Sequence, residues 1–295
     1  MSELLGMAAG AGSALVGGTA IAAIRHLAVY TDPFTLAAMR FGIGFCILFP
    51  IACLKNERWP ALRDWPKAGG LGLLFFVVFP VILNLALSFT TAARAALTLA
   101  TLPLLTMAMA AAMGAERFTA RKAVAAAIAL AGVAAALAGG LESAPSGSWK
   151  GDLLMVGGAA FLALYNIWSR SMIGRSGPLR FTAIGMGMAT PVLLALAWLQ
   201  DGFTSLAAFG PVQVAALAYV GIFGGAVAYW LWAEAISRTT PTRVAMSITL
   251  NAIAATAAGA IMLGEAIGWS LVLGIAAVAI AMALALRPDR PEPKA

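Results

Sequence analysis

A chain of 295 residues that is 62% hydrophobic and only 11% charged lies far outside the globular mix of roughly 45–50% apolar and about 25% charged residues. No soluble core of this length hides so much apolar surface, so lipid must be the solvent for much of it. The net charge of +7 does not point to nucleic acid: the cations sit in short loops between apolar runs and form no basic stripe with interleaved aromatics.

A helix needs about 20 apolar residues to cross roughly 30 Å of hydrocarbon. Ten runs qualify: 4–24, 35–54, 68–90, 93–114, 123–141, 151–171, 181–199, 212–236, 243–263 and 268–286. The first has no basic segment before it and is long enough to span, so it reads as a retained helix rather than a cleaved leader. It carries Gly6, Gly10, Gly12, Gly17 and Gly18, a small face for close helix packing, with Ser13 near mid-depth.

In the second run Arg40 lies about six residues inside the span. An unpaired arginine costs roughly 2.5–3.5 kcal/mol at a helix centre and less at shallower depth. It is expected to face the bundle interior or to snorkel outward, with Asp32 on the same side as a partner. Cys46 and Cys53 are about two turns apart, too far for a disulfide, and read as packing residues.

Further along, counting inward from the span ends places Pro80, Asn84, Thr101, Pro103, Phe161, Thr190, Pro191 and Asn251 at mid-depth. Each proline removes a backbone donor, which is tolerated at this depth where the backbone lines a cavity. Tyr165, Tyr229 and Trp230 lie deeper than the tryptophans of an interfacial belt, which are Trp149, Trp198 and Trp269 at one face and Trp59, Trp65 and Trp168 at the other. The substrate-binding candidates are therefore Ser13, Pro80, Asn84, Thr101, Tyr165, Tyr229 and Asn251. The competing reading of the amides is interhelical glue, worth typically about 0.6 kcal/mol.

Arg94 and Arg243 sit where two runs meet. They are gate or coupling candidates, with helix capping and interfacial anchoring as the plainer roles. Arg40 and Glu234 join them as candidates, although Glu234 has Arg238 at i+4 and an ordinary helix pair accounts for it. Glu116 and Glu265 end helices and are expected to tie down loops. His26 is the only histidine and no CxxC occurs, so neither a metal nor a cofactor is expected. There is no HExxH, and no Asp or Glu sits in the middle of a span, so an enzyme is not expected; a proton pump would want such a carboxylate.

Fifteen of the 19 Lys and Arg residues fall on one side if the ten spans alternate, against Arg25, Arg94 and Lys150 on the other. The positive-inside rule then puts both termini in the cytoplasm, the tail 287–295 included.

A repeat runs through the chain. SFTTAARAA (88–96) and SRTTPTRVA (237–245) align at an offset of 149, which also matches Gly72 with Gly221, Met113 with Met262 and Glu116 with Glu265. The halves are 4–141 and 151–286, five helices each. Five is odd, so the second copy enters the membrane from the opposite face, an inverted-topology repeat. One departure from symmetry is Pro103, matched by Ala252 beside Asn251, so the two helices are not expected to kink equally.

The stretches TTAARAALTLATLP (90–103) and MGAERFTARKAV (113–124), SRTTPTRVAMSITLNA (237–252) and MLGEAIGW (262–269), with DPFTLAAMRF (32–41), resemble the drug/metabolite transporter superfamily in its ten-helix EamA-type branch. Within it, the chain looks most similar to bacterial exporters of aromatic amino acids, of the YddG type. The resemblance implies an all-α inner-membrane protein that moves small molecules by alternating access. Hydrophobic or aromatic amino acids suit the mostly apolar walls. A multidrug or cationic-compound exporter, or a nucleotide-sugar or organic-phosphate exchanger, is the alternative on the same fold. A small-multidrug-type antiporter would carry an embedded Glu in its first helix, where this chain has only Glu3. The expected partners are a small-molecule substrate and the bilayer; the sequence leaves the oligomeric state open, a monomer included.

Overall fold

The computed structural model describes residues 2–115, 120–139, 146–264 and 267–286, and among these every regular element is helical. The first half comprises α1 (Ser2–Leu27), α2 (Pro33–Leu54), α3 (Trp65–Leu73), a wide π-helical stretch Leu74–Val78, α4 (Phe79–Leu87), α5 (Ala92–Leu99), α6 (Leu102–Ala112) and α7 (Ala120–Gly139). The second half comprises α8 (Ser148–Ser176), α9 (Pro178–Leu199), α10 (Pro211–Tyr219), a second π-helical stretch Val220–Val227, α11 (Ala228–Arg238), α12 (Pro241–Leu263) and α13 (Trp269–Leu286).

Among the described residues, eight helical segments are long and apolar enough to cross a membrane: 3–27, 33–54, 62–87, 94–112, 148–176, 178–199, 211–238 and 241–263. They coincide with eight of the ten expected spans. The other two expectations, 123–141 and 268–286, overlap the helices α7 and α13. These pack on one another so closely that a Cβ at Gly132 would lie 2.4 Å from the Ala277 Cβ. Glu116, Glu265 and the tail 287–295 lie outside the described residues.

Local chemistry sets the element ends. The Asp32 side chain accepts from the Phe34 and Thr35 amides and caps α2, so it does not pair with Arg40. Thr91 and Thr240, equivalent in the repeat, cap α5 and α12 by accepting from the amides of Arg94 and Arg243 at 3.3 and 3.4 Å. The recurring TT is thus the start signal of the fourth helix in each half. That helix then differs between halves. It breaks between α5 and α6, with Pro103 in the first turn of α6, whereas α12 runs unbroken past Ala252. A proline lacks the donor an interior turn needs, and this accounts for the difference.

The halves interlock rather than sit side by side. α1 lies along α12 of the other half, α8 along α4, α5 and α6, α2 against α9, and α7 against α13. Gly72 of α3 packs on Gly185 of α9, and the equivalent Gly221 packs on Ile43 of α2. Trp149, Trp198 and Trp269 are largely exposed, with Trp59, Trp65 and Trp168 about half so, as an outward-facing belt requires.

Candidate functional site

A cavity of about 60 Å³ lies near the middle of α1, between the halves. Ser13, Gly17 and Ile21 face it from α1, Arg40 from α2, Tyr229 and Trp232 from α11, and Asn251 from α12. Phe75, Phe79, Leu83, Leu99, Leu162 and Ile248 supply most of the remaining wall. At about 10–15 Å³ per water this space holds about four to six waters, well short of the roughly 300–1,000 Å³ of an open small-molecule site. Anything larger enters only if the helices move apart.

Arg40 is 4% exposed. Its Nε and Nη2 both donate to the Gly224 carbonyl, at 3.2 and 2.7 Å, and its guanidinium lies 5.1 and 5.3 Å from the Phe41 and Tyr229 rings. Gly224 belongs to the second π-helical stretch, where the wide turn leaves carbonyls off the regular ladder. The neighbouring glycine lets α2 come this close: a Cβ at Gly225 would lie 2.6 Å from the Arg40 carbonyl oxygen. Of the two expectations for Arg40, the interior one holds, and its partner is a backbone carbonyl instead of Asp32.

The sequence candidates divide. Ser13, Tyr229, Asn251 and Arg40 line the cavity together. Pro80, Asn84, Thr101 and Tyr165 do not. Pro80 is buried in the first turn of α4, directly after the π-helical stretch. Asn84 Nδ2 donates to the Pro33 carbonyl at 2.9 Å, the Thr101 hydroxyl donates to the Thr98 carbonyl, and the Tyr165 ring stacks on Phe75 at 3.8 Å. These four hold or back the wall. Phe161 faces outward at 39% exposure while its neighbour Leu162 lines the cavity. Trp230 carries Lys55 over its ring, whereas Trp232 reaches the cavity with its Nε1 fixed by Asn166 Oδ1 at 2.9 Å. Phe75 and Phe79 stand in a nearly all-apolar stretch that leaves no face to pick out, and the polar residues of α11, Glu234 and Arg238, do not mark the side on which Trp232 meets the cavity.

The Asn84 and Asn251 geometries separate two roles. Asn251→Ala should abolish most transport at near-normal thermal stability. Asn84→Ala should keep transport and lower stability by about 0.6 to 2 kcal/mol, the range for an interhelical hydrogen bond. Thermal unfolding in detergent and exchange in liposomes check both, and equal effects from the two would show that depth alone decides.

Two inter-half ion pairs lie outside the cavity lining, one toward each end of α1. Glu3 lies in the first turn of α1, and Arg25 in its last turn donates to the Leu87 carbonyl. At the start of α1 Glu3 pairs with Arg243 of α12. At the opposite end Arg94 of α5 pairs with Asp152 of α8 at 2.6 Å. The offset of 149 that relates Arg94 to Arg243 also relates Glu3 to Asp152. The two pairs are therefore the same contact, made once by each half to the other. The acid-to-acid match was present in the sequence and went unread because Glu3 lies at the very start of the chain. Glu234 is held by Arg238, one turn on, with Nε to Oε1 at 2.6 Å, and it lies away from the cavity.

The EamA-like transporter family model matches residues 4–138 and again 149–287, one copy per half. The chain belongs to the EamA-like transporter family. It is a multi-pass membrane transporter and not an enzyme. An uncharacterized transporter of Archaeoglobus fulgidus is 24% identical to this EamA-like chain over 273 residues, covering 92% of this chain and 94% of its own. A protein of Streptantibioticus cattleyicolor described as a probable terminal-alkyne amino-acid exporter is 26% identical over 233 residues, covering 78% and 76%. A solved crystal structure superposes with a TM-score of 0.65 at 22% identity over 93% of this chain and 96% of its own, which shows that the EamA-like fold is shared.

Proposed function

We propose that this EamA-like transporter exports small amphipathic metabolites, hydrophobic or aromatic amino acids foremost, by alternating access across the inner membrane. Both termini are cytoplasmic in this reading, and α7 and α13 complete ten spans. The observation that carries it is a cavity between the halves flanked by two repeat-equivalent inter-half ion pairs, one toward each end of α1. In an inverted repeat each half can take up the other's conformation, so one pair opens as the other closes. The amino-acid exporter among the relatives supports the direction and the substrate class, and the likeness to aromatic amino-acid exporters of the YddG type fits the aromatic wall.

Among the described residues no Asp or Glu lines the cavity. The carrier is therefore read as facilitative, since a proton-driven one places a titrating acid in the transport path. Purified protein in liposomes should speed exchange of labelled phenylalanine or tryptophan, to the same extent with and without an imposed pH gradient. No exchange of any amino acid by folded protein removes the substrate reading. Uphill accumulation driven by the gradient removes the facilitative one.

A further inference from the structure

We propose that Arg40 is the carboxylate anchor of the transport site, so that the carrier requires a free carboxylate on its substrate and takes zwitterionic α-amino acids with apolar side chains. This deepens the transporter reading above and rests on it. Arg40 is a buried cation for which no acidic partner exists among the described residues lining the cavity. Its Nη1 has no hydrogen-bond partner there. A buried charge left in that state is costly, and in a membrane bundle it marks a ligand path by default.

The donor count gives the shape of the missing partner. A guanidinium has five N–H donors. The Gly224 carbonyl takes the Nε donor and one of the two on Nη2. Two on Nη1 and one on Nη2 are left, and the fork formed by one from each nitrogen matches the two oxygens of a carboxylate held end-on. Because Gly224 O and the rings of Phe41 and Tyr229 already hold the group in place, little side-chain entropy is lost when the fork closes.

Asn251 supplies the complement. It lines the same cavity, and its Oδ1 is buried with no partner. A lone acceptor opposite a cation suits an ammonium donor. The rest of the wall, with Phe75, Phe79, Leu162 and Trp232, is apolar and aromatic and suits an uncharged side chain. A single guanidinium neutralises one negative charge, which fits a monoanion better than a phosphate dianion. It also repels a simple organic cation, and so disfavours the multidrug alternative.

The test uses the full chain in two settings. In liposomes, exchange of labelled L-phenylalanine is competed with phenethylamine, phenylalaninamide, 3-phenylpropionate and phenyl phosphate. In detergent, binding of the same compounds is followed by quenching of tryptophan fluorescence and by thermal shift. Phenethylamine and phenylalaninamide, which lack the carboxylate, should compete at least tenfold more weakly than phenylalanine, and 3-phenylpropionate less weakly than either. Arg40→Met should raise the KM for phenylalanine at least tenfold and erase the discrimination against the amide. Arg40→Lys, which keeps the charge without the fork, should retain part of that discrimination.

If Arg40→Met fails to fold, the competition series on the native chain decides alone. Transport that is indifferent to loss of the carboxylate overturns the anchor and leaves the transporter reading intact. Carboxylate-dependent binding without transport does the opposite. Preference for phenyl phosphate, or no binding of any carboxylate, overturns the anchor.

Discussion

Reversing the charge of Arg94 should open the end of the bundle that Arg94 and Asp152 close, and reversing Asp152 as well should close it again. The Arg94 and Asp152 side chains are 11% and 14% exposed. That lies between a surface pair, worth about 0–1 kcal/mol, and a fully buried one, whose breaking costs about 3–5 kcal/mol. About 2 kcal/mol is a fair figure for this pair after that discount, a roughly 30-fold shift in the balance of conformations. Glu3 and Arg243, at 55% and 35%, belong with the surface pairs, and their loss should shift the balance about fivefold at most. The expected result is thus unequal effects from two equivalent contacts. The check is a cysteine placed at Ala14, which lines the cavity, in a chain with Cys46 and Cys53 replaced by serine. A membrane-impermeant thiol reagent added at the Arg94 face should label it many-fold faster in Arg94→Glu than in the parent. The Arg94→Glu, Asp152→Arg double variant should return to the parent rate. Unchanged labelling, or a double variant no better than the single, would exclude a gate at this pair.

The particular residues show which parts of this architecture can be read without coordinates. Eight of the expected spans reappear as apolar helices because hydropathy along the chain measures depth, and depth is what the bilayer selects. The repeat is legible because arginine, paired threonines and acids are rare in such a chain. Direction around the helix axis is another matter. In a water-soluble helix a polar face marks the outside, but lipid and protein interior are equally apolar, so that contrast vanishes. Phe161 and Leu162 are adjacent and one faces outward while the other lines the cavity. Asn84 and Asn251 stand at similar expected depth, and only Asn251 meets the site. Arg40 was the exception because a charge is expensive at that depth and must find an interior partner. Its actual partner, the Gly224 carbonyl, lies in a π-helical stretch that no residue pattern announces.

Glycines decide how the two halves differ, and a single methyl group should expose this. A Cβ at Gly18 of α1 would lie 2.4 Å from the Asn251 carbonyl oxygen, 2.7 Å from the Ala254 Cβ and 2.9 Å from the Ala255 amide nitrogen. Two of these are backbone atoms of α12, which cannot rotate aside, so α1 and α12 must separate. In the equivalent helix α8 the matching position is Ile167, so the glycine is not repeated there. The tight α1–α12 seam is therefore built into the sequence of one half only. Helix association in a bilayer rests on close van der Waals packing, and overpacking costs about 1–3 kcal/mol. The gain in helix propensity from glycine to alanine is about 1 kcal/mol at most, so at Gly18 the clash should win. At Gly157 of α8 nothing lies within 4 Å of the added methyl, and there the propensity term stands alone. Gly18→Ala should lower the thermal midpoint in detergent and depress transport, because the displaced seam carries Asn251 away from the cavity. Gly157→Ala should leave transport intact and match or exceed the parent's midpoint. Changes of the same sign in both variants would mean that propensity, and not the seam, sets the stability of this bundle.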